Sequence, residues 1–123
     1  KCNKMGAIGE IPDRYILDQN EKKKVDVAII DYNNVIATKA AQYGLALVDM
    51  KTFFRKVSTG IKWDGVDFNA GFVSGGFFSL DGYHPNQKGY EMIANEFVDA
   101  VNKKYNSVVP TVYCQDCSGI LFP

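Results

Sequence analysis

The sequence predicts an α/β fold. Two long segments, residues 20–43 and 86–105, have the apolar spacing of amphipathic helices. A short, continuously apolar run, Leu45–Val48, lies between them. Such a run directly after a helix is typical of a parallel strand that is buried on both faces. The order of helix, strand, helix, loop and helix is that of an α/β domain.

Composition narrows the classes of protein that the chain can represent. Its 123 residues are 46% hydrophobic and 23% charged, which suffices for one modest core and excludes wholesale disorder. Fourteen basic residues balance fourteen acidic ones, which argues against nucleic acid or an anionic membrane as the main partner. No apolar run approaches the roughly 18 residues that a membrane span needs.

The chain begins without a methionine and without an apolar leader, in a polar, Lys-rich stretch. We therefore expect it to be one segment, residues 1–123, of a longer protein. Residues 1–18 form an irregular lead-in, and residues 19–123 carry the regular elements. The first long helix should end at Gly44. Its apolar positions follow the i, i+3, i+4, i+7 series: Val25, Ala28, Ile29, Tyr32, Val35, Ile36, Ala40 and Tyr43.

The later elements are predicted in the same way. Residues 50–58 should form a short helix capped by Asp49, and the glycine-rich residues 60–78 a loop or an irregular hairpin. Residues 108–113 should form an extended tail. Asn86 is suited to cap the last helix, whose predicted apolar face consists of Tyr90, Ile93, Ala94, Phe97, Val101 and Tyr105.

The predicted strand Leu45–Val48 lacks a neighbour in this sequence. A strand that is buried on both faces needs adjacent strands for its backbone groups, and neither residues 60–78 nor residues 108–113 resemble parallel partners. We therefore expect the sheet to be completed by a missing N-terminal part or by self-association.

The only histidine, His84, lies three residues after Asp81 on a loop that contains glycine. Imidazole suits proton transfer near neutral pH, and a carboxylate bonded to Nδ1–H would fix its tautomer and stabilise its charged form. Pro85 and Asn86 would place the ring at a helix entrance. A bare D-x-x-H pattern is weak evidence, since Asp-Gly is a common turn.

The longer string around these residues is more specific. Residues 79–90, Ser-Leu-Asp-Gly-Tyr-His-Pro-Asn followed by Gly89 and Tyr90, resemble the last conserved block of the SGNH (GDSL) hydrolases. Further segments are similar to the C-terminal part of secreted or lipoprotein members from Bacteroidetes-type bacteria: residues 11–15, 32–34, 47–49, 75–82 and 119–123.

The resemblance implies a three-layer α/β/α sandwich, flavodoxin-like, of which this chain is part. It also implies ester hydrolysis by a Ser-His-Asp triad, with His84 as general base and Asp81 as its orienting carboxylate. Phe78 and Tyr83 are candidate substrate-binding residues. The substrate would be an ester or an acylated small molecule or carbohydrate, no cofactor or metal is expected, and the location would be extracytoplasmic: periplasmic, outer-membrane lipoprotein or secreted.

The nucleophile block of that family is missing from the sequence. None of the serines follows Gly-Asp, and none lies in G-x-S-x-G: Ser58, Ser74, Ser79, Ser107 and Ser118. Because triad members act as a unit, we expect the chain alone to lack significant esterase activity. The alternative is a non-catalytic α/β binding or interaction module.

The cysteines leave a further alternative open. Cys114 and Cys117 have C-x-x-C spacing and, with Cys2 and His84, could formally provide four zinc ligands. Plain structural cysteines or a disulfide also fit, whereas a redox pair is disfavoured because the residues after Cys117 do not resemble a helix. Asp64 and Asp67 resemble a paired-carboxylate site only superficially and are expected to be solvated.

Overall fold

The computed structural model describes residues 10–113, which fall into two compact units divided after Gly44. The first unit holds a 3₁₀ turn, Asp13–Tyr15, and helix α1, Gln19–Tyr43. The second holds α2 (Met50–Thr59), β1 (Ile61–Trp63), β2 (Val66–Phe68) and α3 (Gln87–Tyr105). This mixed α/β content is consistent with part of an α/β domain. No helix within the described residues is long and apolar enough to cross a membrane.

Helix α1 has a capping box at its start. The Asp18 carboxylate accepts from the Glu21 amide at 2.7 Å, and the Glu21 carboxylate accepts from the Asp18 amide at 3.1 Å. The helix ends at Gly44, as predicted. The predicted stripe is nevertheless not buried. Of its eight members only Ala40 is buried, and Ile29, Tyr32 and Ile36 are among those that remain exposed.

Helix α2 begins where the sequence predicts. Asp49 accepts from the Thr52 amide and from the Thr52 hydroxyl, at 3.0 and 2.7 Å. The hydroxyl bond is the main reason that the pKa of Asp49 lies below its ordinary value. Phe53 and Val57, one turn apart, are the buried residues of this helix.

The predicted irregular hairpin is present as β1 and β2. The strands pair antiparallel, with Ile61 opposite Phe68 and Trp63 opposite Val66. Asp64 and Gly65 both have positive φ, as a two-residue type I′ turn requires. Asp67 forms an exposed ion pair with Lys62 at 3.1 Å. Asp64 and Asp67 therefore serve the hairpin rather than a paired-carboxylate site.

The core of the second unit is a cluster of residues from every element. Its fully buried members are Phe53, Val57, Phe68, Phe77 and Met92. The ring of Phe77 contacts those of Phe53, Phe54 and Phe78, with centroid distances of 6.0, 5.8 and 5.0 Å. Phe77 lies only a few residues before Asp81, so this packing anchors the loop that carries the candidate site.

Helix α3 is capped by Asn86 as predicted, but its predicted apolar face is only partly covered: Ile93 packs against the core cluster, and other members are exposed. The buried residues are Gly89, Glu91, Met92 and Asn95, whereas Tyr90, Phe97 and Tyr105 are each at least half exposed. The reason is a close approach near the start of the helix, because a Cβ on Gly89 would clash with the carbonyl oxygen of Phe77. This contact turns the Met92 side of the helix towards the core.

The segment Leu45–Val48 forms no ladder with any other described residue, so a strand here that takes its partner from outside this sequence stays a prediction. Leu45 and Leu47 are about half exposed, and the Ala46 amide donates to the Tyr105 hydroxyl at 3.1 Å. A strand is defined by its hydrogen-bonded neighbour, and the described residues supply none.

The tail after α3 is attached to the helix by two asparagines. Asn95 donates to the Val112 carbonyl at 2.7 Å and accepts from the Val112 amide at 2.9 Å. Asn102 makes the same pair of bonds with Val109, each at 2.9 Å. Seven helical residues and three extended residues both span about 10 Å, so the two pairs fit together.

Replacing Asn95 by Ala should lower the free energy of unfolding by about 1–3 kcal/mol, because it leaves both peptide groups of Val112 without their partner. Asn102→Ala is the matched control, and its effect should be smaller because its bonds to Val109 are exposed. Urea unfolding of both variants checks this. Equal losses, or a larger loss for Asn102→Ala, would contradict the assignment of Asn95 as the stronger attachment.

Candidate active site

The candidate residues lie on a loop that is closed by backbone hydrogen bonds. The Asn86 amide donates to the Phe77 carbonyl at 2.9 Å, and the Ser79 amide donates to the His84 carbonyl at 2.8 Å. At the tip, the Gly82 amide donates to the Ser79 carbonyl at 3.0 Å. The loop is thus a small hairpin leading from the core to the first residue of α3.

Local sequence explains this shape. Gly82 has a φ of +70°, and a Cβ there would lie 3.1 Å from the ring of Phe72. Asn86 is buried, donates to the Gly76 and Phe78 carbonyls, and accepts from the Gly89 amide. This asparagine therefore holds both the base of the loop and the start of the helix.

The carboxylate of Asp81 divides its bonds between its two oxygens. Oδ1 accepts from the Ser79 hydroxyl at 2.7 Å and from the Tyr83 and His84 amides at 2.9 Å each. Oδ2 lies 2.6 Å from His84 Nδ1. The Ser79 hydroxyl, followed by the His84 ring, lowers the pKa of Asp81 well below its ordinary value. Asp81 therefore stays ionised throughout the range in which enzymes normally work.

The ring of His84 is placed for proton transfer. A carboxylate oxygen at Nδ1 favours the tautomer that carries its proton there, which leaves the Nε2 lone pair available. The side chain is 63% exposed, and the Tyr83 ring meets it edge-on at a centroid distance of 5.0 Å. An oriented imidazole with a free Nε2 can act as a general base.

A family model described as GDSL-like lipase/acylhydrolase matches residues 1–97. The chain belongs to this family. The match includes the whole 77–86 loop and most of α3. No curated protein and no solved structure matches the chain significantly. Membership of the GDSL-like family indicates a hydrolase with ester substrates.

The structure brings together the two residues that the sequence singled out as catalytic in a GDSL-like enzyme, Asp81 and His84. Of the two candidate substrate-binding residues, Tyr83 is exposed beside the histidine, with 78% of its surface accessible. Phe78 is half-buried and packs against the core cluster. Sequence reasoning missed Ser79 as a partner of Asp81, although its position two residues before the aspartate fits a turn bond.

Three serine hydroxyls in the described part of the chain are bonded to groups other than His84. The Ser58 hydroxyl donates to the Arg55 carbonyl and that of Ser107 to Asn102, while Ser79 serves Asp81. Within residues 10–113, no serine hydroxyl is bonded to His84, and no cluster of three or more residues could hold a metal ion. Cys2, Cys114 and Cys117 lie outside the described residues.

Proposed function

We propose that this chain supplies the histidine and aspartate of the catalytic triad of a GDSL-family serine esterase. The observation that carries the proposal is the 2.6 Å contact between Asp81 Oδ2 and His84 Nδ1, on a loop that backbone bonds hold closed. Family membership supplies the reaction class, and this geometry supplies the oriented base that the reaction needs.

In this mechanism, His84 Nε2 takes the proton of a serine hydroxyl while the serine oxygen attacks the ester carbonyl carbon. The protonated ring then gives that proton to the alkoxide oxygen as its bond to the carbonyl carbon breaks, so that the alcohol leaves and the acyl group stays on the serine. In the second half, Nε2 takes a proton from water as the water oxygen attacks the acyl carbon. The bond between that carbon and the serine oxygen then breaks, the proton returns to the serine, and the carboxylic acid is released. Asp81 remains a carboxylate and stabilises the imidazolium.

The nucleophilic serine and the oxyanion-hole donors would come from residues outside this sequence. Two observations support this: no serine here follows Gly-Asp, and the serine nearest to His84 in sequence, Ser79, is bonded to Asp81. The chain by itself would then be inactive, because the residues of a triad act as a unit.

The exposed apolar surface of α1 supports association with the segment that carries the nucleophile, or with a second copy. Val25, Ile29 and Ile36 are about 40–55% exposed, and Tyr32 is 69% exposed. Contiguous apolar surface of this kind commonly marks an interaction site. For the substrate, Tyr83 offers an exposed ring beside the base, suited to an ester or an acylated small molecule or carbohydrate. We place the protein outside the cytoplasm, following its resemblance to secreted and lipoprotein members.

Hydrolysis of p-nitrophenyl acetate tests the proposal. The purified chain should release p-nitrophenol no faster than an equal concentration of N-acetylhistidine, since a free imidazole also attacks this ester. The chain produced together with the sequence that precedes Lys1 in its gene should turn the ester over. Turnover by the chain alone at a rate that His84→Ala abolishes would contradict the assignment of an external nucleophile.

If the sequence before Lys1 contains no G-D-S block, and the longer product is inactive, the non-catalytic binding module becomes the better interpretation. The missing nucleophile is the observation that favours this second candidate.

A further inference from the structure

Ser79 is tied into the candidate site at three points. Its hydroxyl donates to Asp81 Oδ1, its amide donates to the His84 carbonyl, and its carbonyl accepts from the Gly82 amide. The two backbone bonds need no particular side chain, so they account for the loop but not for a hydroxyl at this position.

The carboxylate of Asp81 needs an external restraint. The terminal torsion of an aspartate is broad and roughly two-fold, so torsional preference alone does not fix which oxygen faces His84. Three donors converge on Oδ1, which is more than the two lone pairs of one oxygen readily serve, and this leaves Oδ2 for the ring. The hydroxyl of Ser79 makes the shortest of the three bonds.

We propose that Ser79 is a positioning residue of the esterase site: its hydroxyl fixes the rotation of the Asp81 carboxylate, and through it the tautomer and orientation of His84. This inference rests on the proposed function, in which Asp81 and His84 act as a pair. The group that Ser79 touches is Asp81, so it acts on the reaction only through that carboxylate.

The hydrogen bond from Ser79 also affects the pKa of Asp81. The Ser79 hydroxyl is the largest cause of the lowered pKa of Asp81, ahead of the His84 ring and the two backbone amides. Removing this donor should therefore raise the pKa of Asp81 while leaving the backbone of the loop in place.

Nuclear magnetic resonance on the full chain tests the inference without requiring activity. In Ser79→Ala, the carboxyl carbon of Asp81 should titrate closer to the ordinary value of about 3.9. The His84 Nδ1–H proton should exchange faster with water, and the Nε2–H tautomer should gain population. Ser79→Thr, which keeps the hydroxyl, should restore both readouts, and Ser58→Ala, on the exposed side of α2, should change neither.

A merely structural role predicts a different result. In that case Ser79→Ala would loosen the loop, and the backbone amides of Gly82 and of position 79, which close the loop, would exchange faster along with the side-chain signals. That outcome, or an unchanged Asp81 titration, overturns the inference. Should Ser79→Ala fail to fold, Ser79→Cys provides a near-isosteric, weak donor, for which an intermediate shift is expected and no shift overturns the proposal.

Activity separates this inference from the proposed function. In the enzyme completed by its nucleophile, Ser79→Ala should lower kcat and leave KM unchanged, since Ser79 does not face the substrate. If His84→Ala retains activity, the proposed function fails whatever the Asp81 titration shows. If His84→Ala is inactive but Ser79→Ala matches the wild type in both kcat and titration, only the role of Ser79 fails.

Discussion

Replacing Asp81 by Asn should lower kcat about 10⁴-fold in the enzyme completed by its nucleophile. The three donors on Oδ1 would hold the amide oxygen of the new side chain where Oδ1 now lies, which directs its NH₂ group at His84 Nδ1. An NH₂ group can only donate, so Nδ1 would have to accept, and the ring proton would move to Nε2. A ring protonated at Nε2 cannot take the proton of a serine.

The matched control is Asp67→Asn, which removes another exposed carboxylate from the same unit. Asp67 pairs with Lys62 on the hairpin, and an exposed ion pair of this kind contributes about 1 kcal/mol or less to stability. Steady-state kinetics with p-nitrophenyl acetate should show Asp67→Asn at the wild-type kcat. Equal rates for Asp81→Asn and Asp67→Asn would mean that Asp81 does not orient the base.

The largest effect on stability is expected at Phe77. Replacing it by Ala should reduce the free energy of unfolding by about 3–5 kcal/mol, because a fully buried ring is lost and a cavity remains among Phe53, Phe54 and Phe78. Domains of this size are typically stable by about 5–15 kcal/mol, so the loss is a large fraction of the total. The loop would loosen as well, since Phe77 accepts from the Asn86 amide at its base.

Urea unfolding, followed by circular dichroism at the helix band, measures this effect. Phe97→Ala is the matched control, because Phe97 lies on α3 with half of its surface exposed and should lose far less stability. A Phe77→Ala variant within about 1 kcal/mol of the wild type would show that the cluster around Phe77 is not the core of this unit, since cores lose several times that amount.

The parts of the fold that depend on local sequence were predictable. Gly44 ends α1, Asp49 caps α2 and Asn86 caps α3, because a cap bonds to backbone groups within three or four residues of itself. The Asp64-Gly65 turn likewise determines its hairpin without help from distant residues.

The faces that the helices bury were not predictable from periodicity. Periodicity identifies an apolar stripe, but what covers it depends on tertiary contacts. The close approach of Gly89 to Phe77 and the attachment of Asn95 to Val112 decide which side of α3 is covered, and these contacts join residues 12 and 17 positions apart. The apolar run Leu45–Val48 has the pattern of a strand, but a strand also requires a partner, and the described residues provide none.

In the candidate site, too, some features were predictable from local sequence and others were not. The pairing of Asp81 with His84 was predictable, because a turn brings together side chains that are three positions apart. The structure shows this contact. The hydrogen bond of Ser79 was not predictable, because it depends on which oxygen of Asp81 accepts from the Tyr83 and His84 amides. The sequence offers no candidate for the nucleophile, because none of its serines follows Gly-Asp.

The most direct test of the central claim, that His84 is the base of an esterase, is the rate of p-nitrophenyl acetate hydrolysis by the chain produced with the sequence that precedes Lys1. Replacing His84 by Ala should lower kcat about 10⁴-fold or more, since loss of one triad member removes most of the catalysis by the unit. A His84→Ala enzyme that keeps a rate within about two-fold of the wild type, with its fold verified by circular dichroism, would contradict the account.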